Sequence, residues 1–129
     1  MVIPAQRHVF VYGTLRRGEV NDINRLRPPP GFLGLARVAG TLHDLGPYPG
    51  AVLGGEGWVQ GEVYAISSAL ERQLDLIEEV APVPSGEYLR REIEVRLPDR
   101  TLTCLVYEIA RERVQGRPRI ASGDWLQRR

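Results

Sequence analysis

Short apolar runs broken by glycine and proline recur along the chain and predict a series of β-strands. Residues 8–12 form a compact run of β-forming side chains that ends at Gly13. Apolar and polar residues alternate over 58–66, as on a strand with one buried face. Two further runs flank Pro98 and predict a hairpin. The predicted strands cover residues 8–12, 33–42, 58–66, 88–97 and 101–109.

Two segments interrupt this strand pattern. Residues 44–50 contain two glycines and two prolines, which predicts an irregular turn. Ser68 and Glu71 have the spacing of a capping box, which predicts the first turn of a helix. Leucine and isoleucine then follow at helical spacing, at positions 70, 74 and 77. We expect this helix to end before Pro82 and Pro84, because proline cannot continue it.

Five or six strands with one well-marked helix predict an α+β fold. A barrel is the most economical arrangement of so many strands in so short a chain, because closure leaves no exposed sheet edge. We therefore expect a small mixed β-barrel with flanking helices. A chain of 129 residues fits one domain, so we assign residues 1–129 to a single domain.

Charge and residue usage exclude several classes of function. Seventeen basic residues, all arginine, nearly cancel sixteen acidic ones, and a net charge of +1 argues against a nucleic-acid or membrane partner. The absence of lysine excludes Schiff-base chemistry and lysine-linked cofactors. Cys104 is the only cysteine, and His8 and His43 lack the spacing of metal ligands. Without a signal-like N-terminus or a membrane-length apolar stretch, we expect a cytoplasmic protein.

The loop after the first predicted strand is the first candidate site. A strand that ends at Gly13 and then turns can direct several backbone N–H groups at one point. Such a group of amides binds carboxylates or developing oxyanions. An ordinary strand-to-loop turn explains the same residues, and the sequence pattern alone favours that simpler interpretation.

The acidic side of the predicted helix is the second candidate site. At roughly 100° per residue, Glu78 lies about 70° from the centre of the apolar face. Glu71 lies at about 90°, Asp75 at about 130° and Glu79 at about 170°. Glu78 is therefore the carboxylate best placed to turn inward, where burial would raise its pKa and make it a useful base. Spacing alone favours a boundary residue whose carboxylate reaches solvent.

Tyr88 and Arg90, at the start of the strand over 88–97, are the third candidate site. Either side chain could hold a substrate carboxylate. The alternative is an exposed strand face with cross-strand ion pairs, which is a common arrangement. Near the C-terminus, Trp125 is expected to pack the polar tail onto the rest of the molecule.

These motifs occur in an order and at a spacing that match a known family from about His8 to Trp125. The matching residues are Tyr12-Gly13-Thr14-Leu15 with Arg17, Gly18 and Asn21; Tyr48-Pro49-Gly50; Gly61-Glu62-Val63-Tyr64; Leu74-Asp75 with Glu78; Tyr88 with Arg90; and Ser122-Gly123-Asp124-Trp125. Taken together, they resemble the γ-glutamyl cyclotransferase-like proteins, a superfamily that includes the γ-glutamylamine cyclotransferases and plant avirulence-induced proteins.

The resemblance implies a small mixed barrel with flanking helices and an enzyme that converts a γ-glutamyl amide or peptide to 5-oxoproline and a free amine. It makes Glu78 the catalytic acid/base, and it implies neither a metal nor an organic cofactor. The substrate-binding residues would be Tyr12, Gly13, Thr14, Leu15, Tyr88 and Arg90. The expected partner is a small-molecule γ-glutamyl substrate, and we expect a monomer or a homodimer.

Two positions depart from the family pattern. The family usually has glycine after the catalytic glutamate, where this chain has Glu79, and often histidine after the asparagine, where this chain has Asp22. The charge of Glu79 can change the shape of the pocket or the pKa of its neighbour. A non-catalytic module of the same fold that binds a small acidic metabolite therefore stays open, as does a purely structural interaction domain.

Overall fold

The computed structural model describes residues 7–79 and 85–128, which contain five strands and one α-helix. The strands are β1 (Arg7–Val11), β2 (Gly31–Asp44), β3 (Pro49–Ile66), β4 (Tyr88–Arg96) and β5 (Thr101–Ile109). Helix α1 spans Ser68–Ile77, and short 3-10 helices cover Ile23–Arg25, Arg111–Val114 and Trp125–Gln127. None of the described helices is long and apolar enough to cross a membrane. Pro82 and Pro84, which were predicted to stop the helix, lie outside the described residues.

Strand β1 lies at the centre of a mixed sheet with the order β2-β3-β1-β5-β4. It pairs antiparallel with β3 and parallel with β5, while β4 and β5 form the predicted hairpin. A central strand is covered on both faces and needs apolar side chains on both. Val9 and Val11 pack in the cluster that includes α1, whereas Phe10 packs in the cluster on the other face. The loop after β1 therefore leaves from the middle of the sheet.

Strand β3 is longer than the sequence pattern predicts. It begins at Pro49, inside the segment predicted as a turn, and pairs with β2 before and after an excursion at residues 54–57. Gly54 and Gly55 in this excursion have φ of 92° and 84°, a conformation that glycine adopts without steric cost. The glycines break the alternation of apolar and polar residues, so the sequence pattern marks only the second half of the strand.

The sheet is open, and the closed β-barrel predicted from the sequence is not confirmed. Strands β2 and β4 are its two edges, and no backbone ladder joins them within the described residues. The edges still approach each other, because a Cβ at Gly34 would lie 3.3 Å from Cδ2 of Leu97. Leu33, Val38 and Val95 pack in the same cluster as Leu97. Side chains thus fill the space where a barrel would have paired backbones.

Helix α1 packs its apolar face on the sheet, where Leu70 and Leu74 are fully buried. Its N-cap is Ser67, whose Oγ accepts a hydrogen bond from the Leu70 amide at 3.1 Å. The capping box predicted at Ser68 and Glu71 is therefore wrong by one residue. Glu71 instead pairs with Arg7 of the central strand β1 and Arg90 of the edge strand β4, which hold the helix against the sheet.

The C-terminal segment docks on β3, as the position of Trp125 predicts. The Trp125 side chain is buried, and its Nε1 donates to Oε1 of Glu19 at 2.8 Å. The Gly123 carbonyl accepts a hydrogen bond from the Gln60 amide at 2.8 Å. A Cβ at Gly123 would lie 1.9 Å from the carbonyl oxygen of Trp58, so only glycine permits this contact.

A buried ion pair joins the loop after β1 to β3 and to the C-terminal segment. Arg16 and Glu62 are each 5% exposed, and Nε of the arginine lies 2.8 Å from Oε2 of the glutamate. A second nitrogen of Arg16 lies 2.8 Å from Oδ1 of Asp124. Glu62 also accepts hydrogen bonds from the Arg17 amide at 3.0 Å and from the Tyr64 hydroxyl at 2.8 Å. The buried charges are thus matched by hydrogen bonds, which offset their loss of hydration.

Replacement of Arg16 by methionine should lower the free energy of unfolding by about 3–5 kcal/mol, because it leaves the Glu62 carboxylate buried without its cation. Arg37→Met is the matched control, since Arg37 is exposed and lies over the Trp58 ring at 4.3 Å. The control should cost about 1 kcal/mol or less. Urea unfolding measures both variants. An equal decrease in the free energy of unfolding for Arg16→Met and Arg37→Met would contradict the structural role of the buried ion pair.

Candidate active site

A cavity of about 290 Å³ opens where the loop after β1, the β2–β3 turn, the end of α1 and the start of β4 meet. The predicted site residues Tyr12, Gly13, Thr14, Leu15, Glu78 and Tyr88 line it, whereas Arg90 does not. The other lining residues are Phe10, Val11, Val20, Asn21, Pro47, Tyr48, Pro49, Ile77, Glu79, Glu87 and Tyr107. The fold thus brings together predicted residues from three separate segments of the chain.

Tyr12 and Gly13 fix the loop after β1 to the sheet. The buried Tyr12 hydroxyl donates to the carbonyl of Tyr107 at 2.6 Å and accepts from the amide of Ala51 at 3.2 Å. Burial raises the pKa of Tyr12 well above its ordinary value, so the hydroxyl stays neutral. A Cβ at Gly13 would lie 2.6 Å from Cγ of Pro49, so glycine is required for the loop to pack against the β2–β3 turn.

The backbone of the same loop leaves three consecutive amides available. The carbonyls of residues 13, 14 and 15 accept hydrogen bonds from the amides of Arg16, Asn21 and Ile23 at 2.9–3.0 Å. Within residues 7–79 and 85–128, the amides of residues 13, 14 and 15 have no hydrogen-bond acceptor. Because all three residues line the cavity, their N–H groups form a site suited to an anionic or polarised oxygen.

Glu78 stands at the C-terminal end of α1, where its amide donates to the Leu74 carbonyl at 2.9 Å. Its half-buried side chain lines the cavity and receives no hydrogen bond from the described part of the chain. Burial, and then the carboxylates of Glu87 and Glu79, raise the pKa of Glu78 to about 7. A carboxyl group with such a pKa can both accept and return a proton near neutral pH.

Three tyrosines complete the walls of the cavity. The Tyr88 hydroxyl donates to the Pro49 carbonyl at 2.7 Å, and the Tyr107 hydroxyl donates to Oδ1 of Asp75 at 2.7 Å. Burial raises the pKa of both hydroxyls far above the ordinary value, which keeps them protonated. Tyr48 donates to the carboxylate of Glu87 at the edge of the cavity. Tyr88 thus ties the start of β3 to the start of β4.

Arg90 lies in an ion-pair network beside the cavity. One guanidinium nitrogen lies 2.5 Å from Oδ2 of Asp75, and another lies 2.6 Å from Oε2 of Glu71. Arg7 also pairs with Glu71, at 2.8 Å. This placement corresponds to the ion-pair alternative of the sequence analysis, and a contact between Arg90 and substrate stays a prediction. Through Asp75, the network also orients the Tyr107 hydroxyl.

The orientations predicted from helical spacing were wrong for two acids, Asp75 and Glu79. Asp75 was expected to face away from the core, but it is only 7% exposed because Tyr107 and Arg90 supply its hydrogen bonds. Glu79 was expected on the opposite side from the apolar face, yet it lines the cavity. The helix ends at Ile77, so the angular spacing that holds within a helix no longer applies to Glu79.

Tyr48, Glu87 and Tyr107 line the cavity but were not predicted as site residues. Tyr48 belongs to a turn that matches the family pattern but has no predicted role, and Glu87 lies just before a predicted strand without any motif around it. Tyr107 lies in an apolar run that predicts only a buried strand. Their place in the site depends on how β4 and β5 pack beside α1, which no local pattern reveals.

Asp22 has a structural role in the loop after β1. Its carboxylate accepts hydrogen bonds at 2.9 Å from the amides of Gly18 and Asn24 and from Nδ2 of Asn24. Burial opposes the charged form, but these hydrogen bonds outweigh it and hold the pKa of Asp22 below its ordinary value. The aspartate therefore closes the turn over residues 18–24, and it does not line the cavity.

One wall of the cavity carries the carboxyl group of Glu78, and another carries backbone amides that have no acceptor among the described residues. This arrangement is suited to a small molecule with an anionic or polarised oxygen. The family described as gamma-glutamyl cyclotransferase, AIG2-like, matches residues 9–127 of the sequence. The chain belongs to this family.

Relatives and solved structures agree with this assignment. A Vibrio cholerae protein provisionally named a gamma-glutamylcyclotransferase is 38% identical over 95% of this chain and 98% of its own length. The gamma-glutamylcyclotransferase family protein YtfP of Escherichia coli is 37% identical over 93% of this chain and 96% of its own. A mouse AIG2-like protein of known structure has a TM-score of 0.72 at 29% identity, over 88% of this chain and 84% of its own.

Glu79 has the left-handed backbone conformation that usually requires glycine. Its φ is 56°, and among the described residues it is the only one other than glycine with a positive φ. A left-handed residue directly after a helix is the common way for a helix to end, and glycine adopts it without strain from a Cβ. This backbone conformation explains why glycine is expected at this position in the family. Glu79 adopts the same conformation at a steric cost.

Replacement of Glu79 by glycine should raise the free energy of unfolding by about 1 kcal/mol, because it removes the left-handed strain. It should also lower the pKa of Glu78, since a neighbouring negative charge disappears. Glu79→Gln is the matched control, because it removes the charge and keeps the strained backbone. Urea unfolding and carboxyl titration by NMR separate the two effects. Stabilisation in both variants alike would contradict the conformational explanation.

Glu78 should also make the stability of the protein depend on pH. Its pKa of about 7 in the folded chain lies above the ordinary value of 4.5, so the folded state binds more protons between those values. The Glu78 contribution to the free energy of unfolding therefore falls as pH rises from about 4.5 to about 7. Between pH 4.5 and about 7, the free energy of unfolding of the parent protein should therefore fall relative to that of the Glu78→Gln variant. Unfolding curves at several pH values measure it, and a constant difference would contradict the raised pKa.

Proposed function

We propose that this protein converts a γ-glutamyl amide into 5-oxoproline and a free amine. One observation carries the proposal: a half-buried carboxyl group with a pKa near 7 shares a small cavity with three backbone amides that have no acceptor in the described chain. Membership of the γ-glutamyl cyclotransferase family supports the same reaction class. The substrate is therefore a small metabolite with a γ-linked glutamyl group.

The reaction exchanges one amide bond for another within the substrate. The α-amino nitrogen attacks the γ-carbonyl carbon, and the bond from that carbon to the leaving amine breaks. The new bond closes a five-membered lactam. Because nucleophile and electrophile belong to one molecule, the cavity mainly has to hold the folded conformer in which they meet.

Glu78 takes the proton that the α-ammonium group loses and returns one to the departing amine. Its carboxyl group is suited to both steps, since a pKa near 7 keeps a fraction of each form available. The amides of residues 13, 14 and 15 hold the oxygen that becomes negative during attack or the α-carboxylate of the substrate. Tyr12 and Tyr88 fix the walls through buried hydroxyl contacts. No electron transfer enters the reaction, so we expect it to proceed without a cofactor.

Replacement of Glu78 by glutamine should reduce kcat for 5-oxoproline release by about 10²–10⁴, because the side chain can no longer take or return a proton. The parent kcat/KM should rise with pH through a transition near 7, as the carboxyl group becomes a base. Glu56→Gln is the control, since Glu56 is exposed in the β3 excursion. A screen of γ-glutamyl amides with detection of 5-oxoproline supplies the assay.

The outcomes separate the alternatives left open by the sequence. A folded Glu78→Gln variant with parental turnover would show that Glu78 is not the base. Tight binding of γ-glutamyl compounds by the parent without any turnover would favour a non-catalytic binding module. If the parent protein neither binds nor converts any γ-glutamyl compound, a structural interaction domain becomes the favoured interpretation.

A further inference from the structure

The cavity has an uneven distribution of charge. The chain contains seventeen arginines, yet none of the arginines in the described residues lines the cavity. Three carboxylates do: those of Glu78, Glu79 and Glu87. Since the backbone amides and Glu78 are assigned to the glutamyl half of the substrate, Glu79 and Glu87 remain for the half that leaves.

Glu87 is held in place at the edge of the cavity by two contacts. Its carboxylate accepts a hydrogen bond from the Tyr48 hydroxyl of the β2–β3 turn. Its backbone carbonyl accepts one from the amide of Ala110, the residue after β5, at 2.8 Å. The carboxylate is therefore a fixed feature of the cavity edge and not a freely moving surface charge.

Glu79 is held on the adjoining wall by its backbone. Its amide donates to the Leu76 carbonyl at 3.2 Å, and its own carbonyl accepts from the Ser85 amide at 2.9 Å. Its left-handed conformation turns the chain at the end of α1, where the residue is exposed and lines the cavity. Two negative side chains thus border the region next to Glu78.

Arginines near this region do not neutralise it. Arg113 is close enough to act on the ionisation of Tyr48, but it lies outside the cavity lining. Arg90 is occupied by Asp75 and Glu71. A second negative charge on the leaving half of a substrate would therefore meet carboxylates without a balancing cation among the described lining residues.

We propose that Glu79 and Glu87 select γ-glutamyl conjugates whose leaving amine carries a second, positive charge, such as conjugates of diamines or polyamines. This inference rests on the proposed function, and it names the substrate class of the same cavity. A cationic leaving half gains attraction from both carboxylates, whereas an anionic one is repelled by both. The two residues determine specificity, while the chemistry stays with Glu78.

Three matched compounds test the charge preference: the γ-glutamyl amides of cadaverine, of pentylamine and of 5-aminovalerate. They share the glutamyl half and nearly the same chain length, and they differ in the charge at the far end. We expect kcat/KM to be about tenfold higher for the cadaverine amide than for the pentylamine amide, and lower again for the 5-aminovalerate amide. Added salt should reduce the difference, because the carboxylates at the edge are partly exposed to solvent.

Two variants link the preference to the named residues. Glu79→Gln and Glu87→Gln should each reduce the ratio between the cadaverine and pentylamine amides by about threefold. Glu56→Gln, which changes an exposed glutamate in the β3 excursion, should leave the ratio at its parental value. Equal kcat/KM for the cationic and neutral amides, or a parental ratio in both cavity variants, would overturn the inference.

Equilibrium binding separates this inference from the proposed function. If the parent protein releases no 5-oxoproline from any of the three amides, the proposed reaction fails. Calorimetry with the same compounds then decides the charge preference by itself. Tighter binding of the cadaverine amide by about tenfold would support it, whereas equal binding of the three amides, or none, would overturn it.

Discussion

The guanidinium group of Arg16 lies where three separate segments of the chain meet, and the geometry of the cavity depends on it. Its contacts with Glu62 and Asp124 tie the loop after β1 to β3 and to the C-terminal segment. Tyr12, Leu15 and Ile23 anchor this loop in the core, and hydrogen bonds fix the backbone between them. The carbonyls of residues 13–15 are used within the loop, whereas the amides of the same three lining residues have no acceptor in the described part of the chain. A buried charge pair thus supports a site made of neutral backbone groups.

The end of helix α1 combines two conflicting demands. The carboxyl group of Glu78 must be taken out of water for its pKa to approach 7, which the helix achieves by ending at the cavity wall. The next residue must then turn into the left-handed conformation, where glycine would fit without strain. This chain has Glu79 there, which adds both strain and negative charge. Glu79 thus lowers the stability of the helix end at a position where its side chain lines the cavity.

The sequence predicts the local features of this molecule better than its long-range contacts. The β4–β5 hairpin and α1 follow from periodicity. Helical spacing predicted that Glu78 turns inward, and its side chain lines the cavity, although Asp75 is the more deeply buried acid. Asp75 was misplaced because its burial depends on Tyr107 and Arg90, which come from other strands. The barrel was not confirmed because closure depends on how the edge strands β2 and β4 meet across the sheet. Such pairings are set by packing and leave no periodic signal.

Pro49 shows how the fold keeps the chemistry and the specificity of the cavity apart. Its ring packs against Gly13 on the amide-bearing loop, and its carbonyl accepts the hydrogen bond of Tyr88 from β4. This wall of the cavity is therefore fixed by close backbone contacts that tolerate little change. Within the described residues, the side chains of Glu79 and Glu87 make no hydrogen bond to the loop after β1. Glu87 instead accepts one from Tyr48, so replacement of either side chain leaves the contacts of that loop intact. Under the proposed function, the charge of the leaving amine can then be selected at the edge of the cavity without disturbing the loop that carries the amides.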